Sequence, residues 1–314
     1  REGFALCCTD TGAQLAYIAD DEGATELLLV SSTDGGASWS DPRPVAEPGY
    51  SSIHGVDVVC CEERVHVVWS QLPEGAPAFE TYVRSSDDGA STWLGAPHVI
   101  SSAGPLVTPV AIACEGATLA IGFSSILEAE DAQLYFDRSI DGGATWLPAP
   151  LELDAPVSRA EVPTPSVALL NGAVHVVWTS RSSGPRDTLA YRRSMDAGSS
   201  FEAPVALTAR PGQRIRAPLV CAAPPFDVYV GFARDFGDSA ALLFHSQDAG
   251  ASFTLDPYVL RVAPPAGGPF EDPDLAAVAE LCCGLDGVAV LWQIQPPRYA
   301  AAPFHGVAVL TKSP

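Results

Sequence analysis

Lysine is nearly absent from this 314-residue chain: Lys312 stands alone beside sixteen arginines. Acidic residues number 38 against 17 basic ones, which leaves a net charge of −21 and a pI near 4.4. So acidic a surface repels phosphate backbones and anionic bilayers, and nucleic acid is not an expected partner. The arginine bias reads first as the habit of a GC-rich genome, and second as material for an anion pocket, a role that only position can assign. No apolar run reaches the roughly 18–20 residues that span a bilayer, so no membrane insertion is expected. No segment carries a sustained helical period with capping residues, so little helix is expected either. General disorder is excluded by an apolar content of 47% with 8% aromatics. The chain opens at Arg1 rather than Met and reads as a mature or trimmed product of a secreted, extracellular protein.

What the chain does contain is a phrase that returns five times at intervals of 52 to 55 residues: Ser, any, Asp, any, Gly, any, Thr/Ser, aromatic. Two copies end in Trp, Ser32 to Trp39 and Ser139 to Trp146; two end in Phe, Ser194 to Phe201 and Ser246 to Phe253. A fifth, Ser85 to Trp93, reads with one extra residue before its Trp and with Asp87 as its carboxylate. A period of this size signals stacked supersecondary units.

Around each copy the pattern is that of short strands. Apolar runs such as Val65–Trp69, Val174–Trp178 and Val288–Trp292 occur six times. Each follows a short β-branched segment such as Phe4–Cys8, Val56–Cys60 or Leu275–Ala279. A third strand leads into the phrase and a Pro-Val segment follows it. The unit is therefore a four-stranded antiparallel blade. The expected fold is all-β, a six-bladed β-propeller forming a single domain over 1–314. Its blades fall near 1–47, 48–101, 102–155, 156–208, 209–262 and 263–314. The last unit has three strands and lacks the phrase.

The phrase itself belongs to a hairpin. Gly supplies positive φ, and the carboxylates of Asp34, Asp87, Asp141, Asp196 and Asp248 accept N–H groups across the turn. These are structural aspartates. Each turn offers only one or two carboxylates, so no metal site is expected, and no cofactor.

The phrase, its spacing and its place in the blade resemble the Asp box, or BNR repeat, of the sialidase (neuraminidase) superfamily. The resemblance covers nearly the whole chain and implies a ligand pocket at the axis, where first strands begin and second strands end. The positions reaching it would include Arg1, His54, Glu161, Thr164, Arg216 and Asp272 at strand starts. Asp20, Asp21, Ser70, Ser124, Arg181 and Arg234 would reach it from second-strand ends. Sialidases clamp a carboxylate with three arginines, which map here onto Arg1 (with a one-residue shift), Arg181 and Arg234. Arg181 follows Thr164-Pro165-Ser166-Val167 and Gly172, which resembles a family pattern that begins with Glu. The acid/base aspartate would fall on Asp20 or Asp21. The nucleophilic tyrosine's place, in the stretch Asp272-Pro273-Asp274-Leu275-Ala276, is taken by Asp272, and Thr164 stands where an activating glutamate belongs. Ordinary exo-sialidase activity is therefore not expected.

Three functions remain open. One is a propeller that binds a carbohydrate or protein ligand without catalysis. Another is a glycoside hydrolase using Asp20/Asp21 and Asp272, and the third is a structural subunit. The plain alternatives are surface ion pairs for Arg181 and Arg234, and a backbone-bonded histidine at His54. Likewise Asp272 reads as a turn residue, Glu161 as a solvated loop residue, and His66 and His175 as packing residues.

Eight cysteines complete the picture. Cys8, Cys60 and Cys114 occupy one place on successive first strands, with Cys7 and Cys61 beside two of them; Cys221 reads as lying two residues earlier in its blade, and Cys282-Cys283 end the last first strand. The even count in an exported chain favours disulfides, with connectivity open.

Overall fold

A computed structural model describes residues 3–9, 12–21, 24–47, 50–102, 110–126, 131–158, 162–180, 188–207, 214–235, 240–255, 260–261, 276–284, 287–294 and 304–311. Among them there is no helix, and none long and apolar enough to cross a membrane. The chain divides into two compact units, Arg1–Pro165 and Ser166–Pro314.

The first unit holds three antiparallel sheets in chain order. Blade 1 runs Phe4–Cys8, Ala13–Asp21, Ala24–Ser32, Arg43–Pro44. Blade 2 runs Tyr50–Cys61, Arg64–Pro73, Glu80–Ser86, His98–Ser102. Blade 3 runs Val110–Glu115, Thr118–Ile126, Asp131–Ser139, and its outer edge comes in two pieces, Leu151–Glu152 and Val157–Ser158. Tight turns after Cys8, Cys61 and Glu115 explain the meander, since neighbours in sequence pair directly.

The second unit repeats the plan. Blade 4 runs Pro165–Leu170, Ala173–Ser180, Thr188–Ser194, Val205–Leu207, and blade 5 runs Arg214–Ala223, Asp227–Asp235, Ala240–Ser246, with outer pieces Thr254–Leu255 and Leu260–Arg261. Blade 6 has three strands, Ala276–Gly284, Gly287–Ile294 and Phe304–Thr311. Its first strand thus runs further than the expected Leu275–Ala279 and carries both cysteines near its end.

The cores lie between sheets, not within them. Leu27, Leu29, Val56, Val58 and Trp69 form one cluster that joins blades 1 and 2. Val68, Val83, Val110, Ile112 and Phe123 join blades 2 and 3. In the second unit Val177, Leu189, Tyr191, Val220, Val230 and Phe232 join blades 4 and 5. One blade alone would leave both apolar faces in water.

The repeated turn is a closed hydrogen-bond network. In blade 1 Ser32 Oγ donates to Asp34 Oδ1 at 2.8 Å and accepts from the Gly36 N–H at 2.8 Å. Asp34 then accepts from the Ser38 N–H at 2.8 Å and from the Ser38 hydroxyl at 2.5 Å. The same bonds recur around Asp141, Asp196 and Asp248. These donors hold each of the four carboxyls down to about 2.

The second copy corrects the sequence reading. It starts at Ser86, not Ser85, has no extra residue, and its carboxylate is Asp88 rather than Asp87: Ser86 Oγ donates to Asp88 at 2.8 Å, and the Thr92 N–H and hydroxyl bond the same carboxylate. The slip has a physical cause. The other four copies place Gly at the fifth position, whereas Ala90 occupies it here and adopts φ +64° itself. Requiring Gly at that point moves the alignment by one residue. Asp87 occupies the exposed variable position of the turn.

Two disulfides staple first strands of successive blades: Cys7–Cys60, with Cα atoms 5.6 Å apart, and Cys61–Cys114, at 6.2 Å. Cys221 is disulfide-bonded as well, while Cys8 is a free, exposed thiol. Neither Cys7-Cys8 nor Cys60-Cys61 bridges to its own neighbour, because successive strand residues face opposite ways. Register also corrects Cys221. Ala222 pairs with Val228 as Cys60 pairs with Val65, so Cys221 lies one residue before the common place, not two. The hairpin through Pro224-Pro225 is one residue longer than its counterpart in blade 2, which sequence spacing does not reveal.

Candidate functional site

Every blade has two ends. The turn between the first two strands and the repeated turn share one end, where the Gly89 N–H bonds the Glu63 carbonyl, Gly142 bonds Ala117, and Ala249 bonds Phe226. First-strand starts and second-strand ends share the other, and the candidate residues belong there.

In the first unit the open end of blade 2 is the best furnished. His54 is exposed on the first strand, between two register irregularities that bracket Ser52 to His54. Its Nε2 lies 2.7 Å from Ser52 Oγ, and its ring meets Phe79 edge-on at 5.6 Å. Across the sheet His54 pairs with Ser70, and Ile53 with Gln71. Gln71 Oε1 accepts from the Trp69 indole N–H at 2.8 Å, and Trp69 stacks on Tyr82. The Tyr82 hydroxyl donates to the Glu80 carboxylate. Burial first, then the bond to Glu80, pushes the Tyr82 phenol up to about 12, so it stays a neutral donor. One face of this end thus offers an exposed imidazole with the Ser52 hydroxyl and the Phe79 edge, while Gln71, Glu80 and Tyr82 share the opposite face with Trp69. Of these, sequence reasoning found His54 and Ser70 and missed Ser52, Phe79, Glu80 and Tyr82. The alternation of Ser52 with His54 and of Glu80 with Tyr82 was the available signal, since residues two apart share a strand face.

Elsewhere in this unit Ser124 Oγ is committed to the Pro163 carbonyl at 2.7 Å, which makes it a tie between the end of blade 3 and the segment leading to Thr164. Asp20 and Asp21 end the second strand of blade 1, paired with Thr25 and Ala24. Their side chains lie outside the described residues, as do Arg1 and Glu161 entirely.

In the second unit the backbone brings three arginines to the open end of blade 5. Arg214 pairs with Asp235, Ile215 with Arg234, and Arg216 with Ala233, before a register shift at Leu219. Arg216 and Arg234 therefore stand one register step apart on neighbouring strands. Arg181 and Asp272 lie outside the described residues.

The remaining perturbed groups belong to packing. His66 and His175 occupy the same place on blades 2 and 4, with Nδ1 bonded to Ser85 Oγ at 2.8 Å and to the Tyr191 hydroxyl at 2.7 Å. Each leaves Nε2 buried without a partner, and burial holds both imidazoles down to about 4. Asp137 is buried and pushed up to about 6, although it accepts the Arg138 and Leu147 N–H groups. Among the described residues no group of three or more His, Cys, Asp or Glu side chains is placed to hold a metal ion.

No family model and no curated protein matches this sequence. Solved structures do. An α-L-arabinanase of Penicillium chrysogenum in complex with arabinobiose aligns at TM-score 0.61 and 14% identity, over 99% of this chain and 93% of the arabinanase. A Hadza microbial sialidase aligns at TM-score 0.58 and 15% identity over 92% of this chain, which spans 62% of the sialidase. A lectin of Aleuria aurantia, described as a six-bladed β-propeller with a fucose recognition mode, aligns at TM-score 0.54 and 13% identity, over 85% of this chain and 81% of the lectin. At such identities the likeness is one of fold alone: this chain is a sialidase-like six-bladed β-propeller.

Proposed function

We propose that this protein is an exported sugar-binding propeller which holds a glycan at the open ends of its blades and does not turn it over as a sialidase would. The observation that carries this reading is the pair of replacements in the expected catalytic positions. Thr164 stands where a glutamate would activate the nucleophile, and a threonine hydroxyl is no general base near neutral pH. Asp272 stands where a neutral phenol is expected, and its charge would oppose an acidic sugar. Sugar as the ligand class is supported by blade 2, whose Phe79 edge, His54 ring and Ser52 hydroxyl combine apolar and hydrogen-bonding surface. It is also supported by a fold shared with an arabinanase and a fucose lectin. Export is supported by the disulfides, which persist in oxidising compartments.

The test is a glycan array run beside a panel of chromogenic glycosides, with His54→Ala and Asp272→Ala variants. Binding that His54→Ala weakens, without hydrolysis, supports the reading. Turnover abolished by Asp272→Ala would replace it with the hydrolase. No sugar binding, together with self-association in light scattering, would replace it with an assembly role.

A further inference from the structure

Asn171 is the one asparagine in the chain, and glycine follows it. Asparagine is a thermolabile residue. It is most so before glycine, where no Cβ shields the next backbone nitrogen from the side-chain amide carbon. The pair forms the whole connection between the first two strands of blade 4, which stop at Leu170 and resume at Ala173. Both residues take positive φ, 52° and 75°, as the mirror-image turn of a two-residue hairpin requires. Asn171 is exposed, and a Cβ at Gly172 would meet nothing within 4 Å. Water therefore reaches the turn.

Two bonds make this turn part of a joint. Asn171 Nδ2 donates to the Pro225 carbonyl at 3.1 Å, which ties the hairpin of blade 4 to that of blade 5. The Gly172 carbonyl accepts from the Ala197 N–H at 3.1 Å, so the repeated turn of blade 4 rests on the same two residues. The backbone conformation opposes attack on the amide. In the left-handed region Cβ lies against the residue's own carbonyl oxygen. The nitrogen of Gly172, on the other side of that carbonyl carbon, therefore points away from the Asn171 side chain. Ring closure needs this peptide to turn over, and a two-residue loop held by both bonds permits that only on opening. We propose that Asn171 is a hydrolytic modification site gated by opening of its hairpin. Closed, the turn protects the amide; open, it exposes the amide to loss, and the loss removes the tie to blade 5.

The reaction balances with water as its only co-reactant. The Gly172 nitrogen attacks Asn171 Cγ, and the side-chain nitrogen leaves as ammonia, taking the proton that the attacking nitrogen gives up. Water then opens the cyclic imide at one carbonyl or the other, which yields aspartate or isoaspartate. Neither product replaces the bond to Pro225, because a carboxylate only accepts. Isoaspartate also adds a carbon to the main chain of a turn whose length sets the register of the two strands. The change runs one way and makes an acidic surface more acidic.

The experiment ages the full chain in mildly alkaline buffer, folded and in guanidinium, and follows Asn171 by peptide mapping with enzymatic methylation of isoaspartate. Both samples should accumulate acid at Asn171, the folded one about tenfold more slowly. Asn171→Asp should melt about 2 °C below the parent, and the aged folded chain should move towards that value. Asn171→Gln, whose longer amide closes a larger ring, should keep its amide over the same period. Should the aspartate variant fail to fold, hydrogen exchange at the Ala197 N–H of the aged parent reads the same loosening, as faster exchange in the modified fraction. Equal rates in the two samples would remove the gate. An amide that stays whole in the folded chain throughout would remove the site, and a modified chain with unchanged melting and exchange would remove the tie.

Discussion

The two ends of a blade are built on opposite principles. At the turn end, the same bonds recur from blade to blade around Asp34, Asp88, Asp141, Asp196 and Asp248, through a seventh-position hydroxyl that is Ser or Thr. That end also grips the neighbouring blade. Gln14 donates to the Gly89 carbonyl, Arg43 and Arg193 reach the carbonyls of Ala90 and Ala249, and the cystines Cys7–Cys60 and Cys61–Cys114 lie there. At the open end the described residues differ between blades 2 and 5. His54 and Ser52 have no counterpart in blade 5, where Arg214, Arg216 and Arg234 take the corresponding strand ends. Repetition marks the part that holds blades together, and departure from it marks the part free to acquire a ligand.

That contrast can be broken at four points. The largest effect is expected from replacing Cys7 and Cys60 together by serine: chemical denaturation should show a loss of about 2–5 kcal/mol. A preserved midpoint would mean the cystine is ornamental. Next, a Cβ at Gly250 would collide with the Tyr191 hydroxyl of the preceding blade. Gly250→Ala should cost about 1–3 kcal/mol. Because Ala90 tolerates positive φ at the equivalent place, Tyr191→Phe should relieve much of that cost. An additive double-mutant cycle would place the strain in the turn instead of the joint.

The third test is acid. The turn aspartates, held down to about 2 against 3.8, are less readily protonated folded than unfolded. Their contribution is full above about pH 4 and disappears as pH falls towards 2. His66 and His175, held down to about 4 against 6.5, also take up protons more readily when unfolded, so stability should decline from pH 6.5 to 4. Asp137, raised to about 6, opposes them between pH 6 and 3.8. His66→Gln with His175→Gln should flatten the upper window in pH-dependent melting and leave the lower one intact. A lower window that moved with the histidines would contradict this assignment. The smallest stability effect belongs to the open end. His54→Ala should shift the unfolding free energy by under about 0.5 kcal/mol, yet weaken sugar binding about tenfold; a matching loss of stability would make His54 a packing residue.

The blades were legible because period, alternation and turn chemistry are local properties. The strand Val65–Trp69 announces itself by composition, and its pairing follows from a short hairpin. The slip at Asp87 shows the limit of that legibility, because a pattern that demands Gly cannot foresee an alanine in the left-handed region. Ser52, Phe79 and Glu80 escaped notice for another reason. Each is an ordinary strand or loop residue until pairing sets it beside His54 or Tyr82. Cys221 was misplaced because the length of a proline hairpin sets register without leaving a periodic trace.

The sequence by itself determined the blade count, the turn that ends each third strand, the acidic surface and the departure from sialidase residues at Thr164 and Asp272. All of these depend on the identity of residues or on spacing along one chain. Tertiary structure decided which carboxylate anchors the second turn, which cysteines meet, and which polar groups gather at the open end of blade 2. Those are relations between strands, set by register and by the alternation of side chains across a sheet, where a shift of one residue exchanges one face for the other.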